Sequence, residues 1–385
     1  MTKPKRILFI THESTLSGAA NLLINLLQLL KEKNYCDTRI VVKRGGPQDN
    51  RFREIAPVII LKPAGYQENK NLLFKTLDFI GYRLRLRKLL KLTKECDLIF
   101  SNTIANGRLL KDLSVTGKPV VVYVHELHGA MEFCNRHLDT DLSLQYGTRF
   151  FSPSMAVTKN LMSRNVAAEK IFPLNYYFPF DQVNFPSERQ VVKSRFFDAH
   201  HIPLHRFHVL GMGAAVERKG IDLFVEVCRM VCEETAGIHF TWIGGFLDKD
   251  LQQKIESDIK STGLSQHLTI TGYLPHAYEN MLPFDLFVLT SREDPYPLVV
   301  LEAAFARIPT IAFRDAGGIQ EFIGDDAGFL AEKLSVQQMA QKIIELSKHP
   351  NLLEERGEAA RKKLLDWHHS GDLILNQLSK GLEGV

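Results

Sequence analysis

The segment "TSREDPYPLVVLEA", residues 290–303, sets Glu293, Asp294 and Glu302 around a proline-flanked turn and an apolar run. Carboxylates in such a setting accept hydrogen bonds from hydroxyls or work as an acid–base pair. Pro297 suits the first position of a helix or the residue just before it. Asp294 is then expected on a loop after the strand "FDLFVLTS", with Glu302 about one turn inside the helix "PLVVLEAAFARI". The amides near Leu298 and Val299 fall in that helix's first turn, lack helical partners, and can hold an anion. A second stretch, "AAVERKGIDLF", puts Arg218 and Lys219 directly before Gly220 and another helix. Cations are unfavourable at a helix N-terminus, so this pair makes sense beside a polyanion such as a diphosphate. Together the acids read as hydroxyl readers around a sugar and a phosphate.

Two more candidates follow apolar strands. Ser17-Gly18-Ala19 opens a helix after "RILFIT", where free amides would meet a ligand, although no G-x-G-x-x-G dinucleotide fingerprint is present. His125 stands in "HELHG" after "VVVYV". The spacing is not H-E-x-x-H, so zinc is not expected, and a polar residue at a strand's carboxyl end suits a ligand site.

These residues need elements to hold them. Apolar strands alternate with helical patterns: "RILFIT" (6–11), a helix over 17–34 with Ser17 as N-cap, "TRIVVK" (38–43), "PVIIL" (57–61), "DLIFS" (97–101), a helix over 104–114, "KPVVVYVH" (118–125) and "RFFSPS" (149–154). The stretch 176–190 has two prolines and several aromatics, fits no amphipathic period, and reads as a linker. Alternation then resumes with "FHVLGMG" (207–213), helices over 220–235 and 248–261, "HFTWIGG" (239–245), "LTITGY" (268–273), "FDLFVLTS" (284–291) and "PTIAF" (309–313). Helices over about 335–348, 351–367 and to about 380 close the chain. Continuous apolar strands between helices predict α/β parallel sheets covered on both faces. Two such domains are expected, residues 1–178 and 179–368, facing a central cleft, with residues 369–385 a last helix. Ligands in open α/β sheets bind beyond the strands' carboxyl ends.

Composition narrows the class. The 385 residues exceed one ordinary core, and 45% hydrophobic with 24% charged residues is a soluble globular balance. No apolar run reaches the about 18–20 residues of a membrane span, and "MTKPKRILFI" lacks a signal peptide's length and cleavage site. Five scattered cysteines without a CxxC fit a reducing compartment, so a cytoplasmic location is expected. Cys228 and Cys232, one turn apart, read as core packing. A net charge of +4 is no argument for nucleic acid. The charge is uneven, however: residues 69–95 interleave Lys70, Lys75, Arg83, Arg85, Arg87, Lys88, Lys91 and Lys94 with Leu72, Leu73, Phe79, Ile80, Leu84, Leu89 and Leu90. That is either an ordinary solvated helix or a basic amphipathic one lying on the inner face of an anionic membrane.

The segment "EDPYPLVVLEA" resembles the E-x7-E motif of retaining glycosyltransferases of family 4, which have the GT-B fold. "RKGIDLF", "FTWIGG", "TGYLP" and "DAGGIQEFI" fall in the family's order, and "SGA" and "HEL" match in the first half. The resemblance implies two Rossmann-like domains, a last helix over 369–385 that crosses back to the first, and glycosyl transfer from a nucleoside diphosphate sugar to a carbohydrate or lipid-linked acceptor, with no metal and no cofactor. It implies catalytic roles for His125, Asp294 and Lys219. Arg218 and Lys219 would bind the donor diphosphate, Glu302 the ribose and Asp294 the sugar hydroxyls. Ser17, Gly18, Gly245, Leu298, Val299, Gly317 and Gly318 would line the donor. Two positions depart from the pattern: Asp replaces the first acid of the motif, eight residues before Glu302, and Ala214 stands where many members carry arginine. A sugar-nucleotide epimerase of the same fold and a non-catalytic nucleotide-sugar-binding scaffold are the rival readings.

Overall fold

A computed structural model describes residues 4–64, 72–179, 189–274 and 277–385. The chain divides into two compact units, Met1–Phe178 with Ser370–Val385, and Pro179–His369. Unit 1 holds strands β1 (Arg6–Glu13), β2 (Asp37–Arg44), β3 (Val58–Lys62), β4 (Leu98–Ser101), β5 (Val120–Tyr123), β6 (Arg149–Ser152) and β7 (Ile171–Pro173). They form one parallel sheet in the order β3-β2-β1-β4-β5-β6-β7. Unit 2 holds β8 (Phe207–Met212), β9 (Ile238–Ile243), β10 (Leu268–Gly272), β11 (Leu286–Leu289), β12 (Thr310–Phe313) and β13 (Gly328–Ala331), ordered β10-β9-β8-β11-β12-β13. In both sheets the order reverses beside the first strand, the doubly wound arrangement whose switch point gathers ligand-binding loops.

The strands are short and apolar because both faces are covered. β4, β5, β11 and β12 are buried at every position, as helix-covered parallel strands must be. In unit 2, helix Ile221–Glu234 lays Ile221, Phe224, Val225, Cys228 and Val231 into the core against Phe240 and Trp242 of β9. Cys228 and Cys232 lie along this helix with their sulfurs 3.9 Å apart, and Cys228 is buried.

The expected linker extends too far. A helix, Arg189–Ala199, already begins at residue 189 and buries Val192, Phe196 and Phe197; residues 180–188 lie outside the described residues. Helices at His128–Asn135, Asp139–Tyr146 and Met155–Met162, and strand β13, had no counterpart in the sequence pattern. The basic segment forms helix Leu72–Glu95; residues 69–71 and the side chains of 72–79 lie outside the described residues. Its apolar residues do not share one face. Leu86 and Leu89 are buried, whereas Ile80 and Leu84 are exposed at 49% and 58% among Arg83, Arg87 and Lys88. The step from 84 to 89 is five residues, about 500° of helix, which moves Leu89 to another face.

Helix Gly371–Leu382 packs on unit 1. Gly371 comes against Leu29, and Gly381 lies so close to the Phe151 ring that a Cβ there would stand 2.2 Å from it. The Gln377 side chain accepts from the Asn175 amide at 2.9 Å, and Arg149 donates to the Gly381 carbonyl at 2.7 Å.

Candidate active site

In unit 2 the candidate residues sit beyond the carboxyl ends of β8, β9, β11 and β12. After β8 the chain ends in a short 3₁₀ segment, Glu217–Lys219. Gly220 then turns it into the next helix with φ of +71°, where a Cβ would come 2.0 Å from the Thr290 carbonyl oxygen. Glycine alone tolerates both that conformation and that approach. The Thr290 hydroxyl donates to the Gly220 carbonyl at 2.8 Å, and the Arg292 amide donates to the Arg218 carbonyl at 2.9 Å. The Arg292 guanidinium grips Asp222 with two bonds of 2.7 and 2.5 Å. Neither the Thr290 tie nor the Arg292–Asp222 pair was legible beforehand, because nothing local in the sequence joins positions about 70 residues apart.

The loop so fastened carries the charges. Lys219 Nζ donates to the Asp294 carboxylate, which is 6% exposed. Arg218 lies 3.9 Å from the same oxygen and donates to the Glu293 carbonyl at 2.7 Å. Glu293 thus meets Arg218 through its backbone. The Asp294 backbone is pinned in turn: its amide donates to the Ala316 carbonyl at 2.8 Å, and its carbonyl accepts from the Gly318 amide at 3.3 Å. Gly317, at φ of +147°, passes so close that a Cβ would stand 1.7 Å from the Asp294 oxygen. Arg218, Lys219, Asp294, Gly317 and Gly318 are therefore one cluster. Gly245 follows β9 and accepts from the Ala215 amide at 2.9 Å, tying its turn to the loop after β8.

Helix Leu298–Phe305 starts directly after Pro297, with no side chain capping it. Leu298 and Val299 supply its first two amides, which have no helical acceptor. Glu302 is its fifth residue and partly exposed. Among the described residues its carboxyl has no hydrogen bond or ion pair, and burial pushes its pKa up to about 7.

In unit 1, Ser17 is the N-cap of helix Gly18–Glu32 by position, yet its hydroxyl makes no capping bond and is buried without a partner among the described residues. Gly18 is exposed. His125 stands past the end of β5, its ring 4.2 Å from that of Tyr123 and 5.5 Å from that of Tyr176. Its Nε2 lies 3.1 Å from Asn102 Oδ1 and its Nδ1 3.2 Å from the Tyr176 hydroxyl. Burial and the neighbouring His12 lower its pKa to about 3, so the ring is neutral at physiological pH. Glu126 turns the other way. Its carboxylate accepts from the Thr103 hydroxyl and from the His125 amide at 2.8 Å, while burial raises its pKa. Sequence reasoning missed Asn102, although the rule that found His125 applies to it: "SNT" follows the apolar strand β4.

Residues 192–363 match the model of the family described as glycosyl transferases group 1. The capsular polysaccharide biosynthesis glycosyltransferase CapM of Staphylococcus aureus is 22% identical over 367 residues, 92% of each chain. The poly(ribitol-phosphate) alpha-N-acetylglucosaminyltransferase of S. aureus strain COL is 27% identical over 194 residues, 49% of this chain and 39% of that protein. Among solved structures, Anabaena Alr3699/HepE in complex with UDP and glucose superposes with a TM-score of 0.81, at 17% identity, over 99% of this chain and 100% of that one. A mutant of S. aureus TarM in complex with Fondaparinux, alpha-GlcNAc-glycerol and UDP gives a TM-score of 0.74 at 14% identity, over 99% and 100%. The architecture is thus that of the GT-B glycosyltransferases. The stretch that matches the glycosyl transferases group 1 model lies within its C-terminal unit.

Proposed function

We propose that the whole chain transfers a glycosyl unit from a nucleoside diphosphate sugar to an acceptor hydroxyl in surface polysaccharide or glycolipid assembly, with retention at the anomeric carbon. The observation that carries this reading is the cluster of Arg218, Lys219 and Asp294 on the loops after β8 and β11, inside the matched family domain. The relatives named for capsule and ribitol-phosphate polymers support the acceptor class. In this reading Arg218, Lys219 and the first-turn amides at Leu298 and Val299 hold the diphosphate. Negative charge grows there as the sugar departs, and fixed donors around such a charge are worth several kcal/mol of barrier. Asp294 receives sugar hydroxyls, Glu302 the ribose hydroxyls, and His125, Ser17 and Gly18 serve the transferred sugar and its phosphate from unit 1. Gly245, Gly317 and Gly318 give the donor close access to backbone. No side chain is assigned as a glycosyl nucleophile, so attack from the leaving-group face is preferred; a covalent glycosyl-enzyme trapped in turnover would end that preference.

Incubation with UDP-, GDP-, ADP- and CMP-sugars tests the activity. Slow donor hydrolysis is expected with one nucleotide class and should fall at least about 100-fold in Lys219→Ala. Hydrolysis equal in both proteins would remove Lys219 from the site. Binding without turnover would favour the scaffold, and an altered nucleotide sugar formed without acceptor the epimerase.

The exposed Ile80 and Leu84 among Arg83, Arg87 and Lys88 support docking of helix Leu72–Glu95 on an anionic membrane face, where a lipid-linked acceptor resides. Reversing Arg83, Arg87 and Lys88 to Glu should abolish co-sedimentation with phosphatidylglycerol vesicles; retention of binding would refute the docking.

A further inference from the structure

The surroundings of His125 carry an inference that rests on the reading above. Asn102 is the first residue after β4 and is fully buried. Its amide Nδ2 donates to the Ala19 carbonyl at 2.8 Å. A carbonyl oxygen only accepts, so the side chain of Asn102 must turn its nitrogen to Ala19 and its Oδ1 to His125 Nε2, 3.1 Å away. An amide oxygen also only accepts, so Nε2 must carry the imidazole proton. Nδ1 of the neutral ring then has a lone pair, and the Tyr176 hydroxyl, 3.2 Å off, is its donor. The run Tyr176 O–H to Nδ1, Nε2–H to Asn102, Asn102 N–H to Ala19 has one direction throughout. It ends on the small-residue turn Ser17-Gly18-Ala19. The main chain is tied alongside, because the Asn102 amide donates to the Ile10 carbonyl of β1 at 2.8 Å.

We propose that Asn102 is a positioning residue: it fixes His125 in the neutral Nε2–H tautomer and couples that ring to the turn that opens helix Gly18–Glu32. Both ring nitrogens are committed to protein partners. His125 therefore presents a held ring and backbone to the sugar and does not shuttle a proton through Nε2 or Nδ1. The groups facing it are His12 from β1, Tyr123 from β5, Glu126 in its own turn and Tyr176 after β7.

The test separates tautomer from activity. ¹⁵N-histidine NMR of the full chain reads the tautomer with no donor present, so a failed transferase assay and a failed assignment are different results. The wild type and Tyr176→Phe should both show a protonated Nε2 and an unprotonated Nδ1 at His125. Asn102→Ala should lose that single form. Its kcat should fall about 10- to 100-fold with donor KM within about threefold. Asn102→Asp keeps an acceptor for Nε2–H but puts a negative charge beside the ring, so the imidazole pKa should rise and the mutant's kcat, read at saturating donor, should acquire an acidic limb absent from the wild type. A protonated Nδ1 in the wild type, or an unchanged tautomer in a folded Asn102→Ala, would overturn the proposal. So would a loss of thermal stability in Asn102→Ala with kcat unchanged.

Discussion

Asp294 and Glu302 lie eight residues apart, yet their surroundings differ. Asp294 is buried, with Lys219 and Arg218 against its carboxylate. Among the described residues no cation pairs with Glu302, and burial raises its carboxyl to about 7. Ribose hydroxyls donate to a carboxylate, so donor binding should favour ionised Glu302. Donor affinity should then weaken as pH falls through about 7, and binding near that pH should release up to one proton per site, measurable by calorimetry in buffers of different ionisation enthalpy. The stability sign runs the other way. A carboxyl with a raised folded-state pKa weakens the native state as pH climbs from the ordinary carboxylate range past about 7. Glu302→Gln should accordingly gain on the order of 1–2 kcal/mol on wild type between pH 5 and pH 8. A donor affinity flat from pH 6 to pH 8 would take the ribose away from Glu302.

At the level of elements, the helix Gly371–Leu382 follows unit 2 in the chain but belongs to unit 1. It buries Ile374, Leu378 and Leu382 there, and Lys5 reaches the Leu382 and Val385 carbonyls at 3.2 and 2.7 Å. Burial of an aliphatic side chain contributes about 1.5–3 kcal/mol, so removing residues 370–385 should cost unit 1 at least about 3 kcal/mol. Hydrogen exchange should show faster opening of β1, β6 and β7 with β8 to β13 unchanged; the reverse distribution would contradict the assignment. The short apolar strands and the stripe of Ile221–Glu234 were legible because a fully buried strand leaves a continuous apolar run and an amphipathic helix a clear period. The helices at 128–135 and 139–146 were not. They are eight residues each, and helix Asp139–Tyr146 buries Asp139, Thr140 and Ser143, polar residues satisfied by tertiary bonds such as Ser143 to the Ile104 carbonyl at 2.7 Å. Helix Leu72–Glu95 shows the converse: its leucines recur often enough to suggest an amphipathic helix, yet Leu84 is exposed and Leu89 buried on another face.

At the level of the whole molecule, two doubly wound sheets each bring their loops together beyond the strands' carboxyl ends, and this rule made most of the candidate site readable. It led to His125, Arg218, Lys219, Asp294 and Glu302 because each stands one turn or less past an apolar strand or at the head of the next helix. The supports were hidden, since Arg292 to Asp222, Thr290 to Gly220 and Asn102 to Ala19 join residues 70 or more positions apart. The central claim is that a nucleoside diphosphate sugar binds unit 2 with its ribose on Glu302. Thermal unfolding of wild type and Glu302→Ala against a panel of UDP-, GDP-, ADP- and CMP-sugars tests it most directly. At about 100 times its dissociation constant the true donor should add roughly 2.7 kcal/mol to the wild type, and Glu302→Ala should lose that gain. A full panel without any shift in the wild type, or an equal shift in Glu302→Ala, would contradict the account.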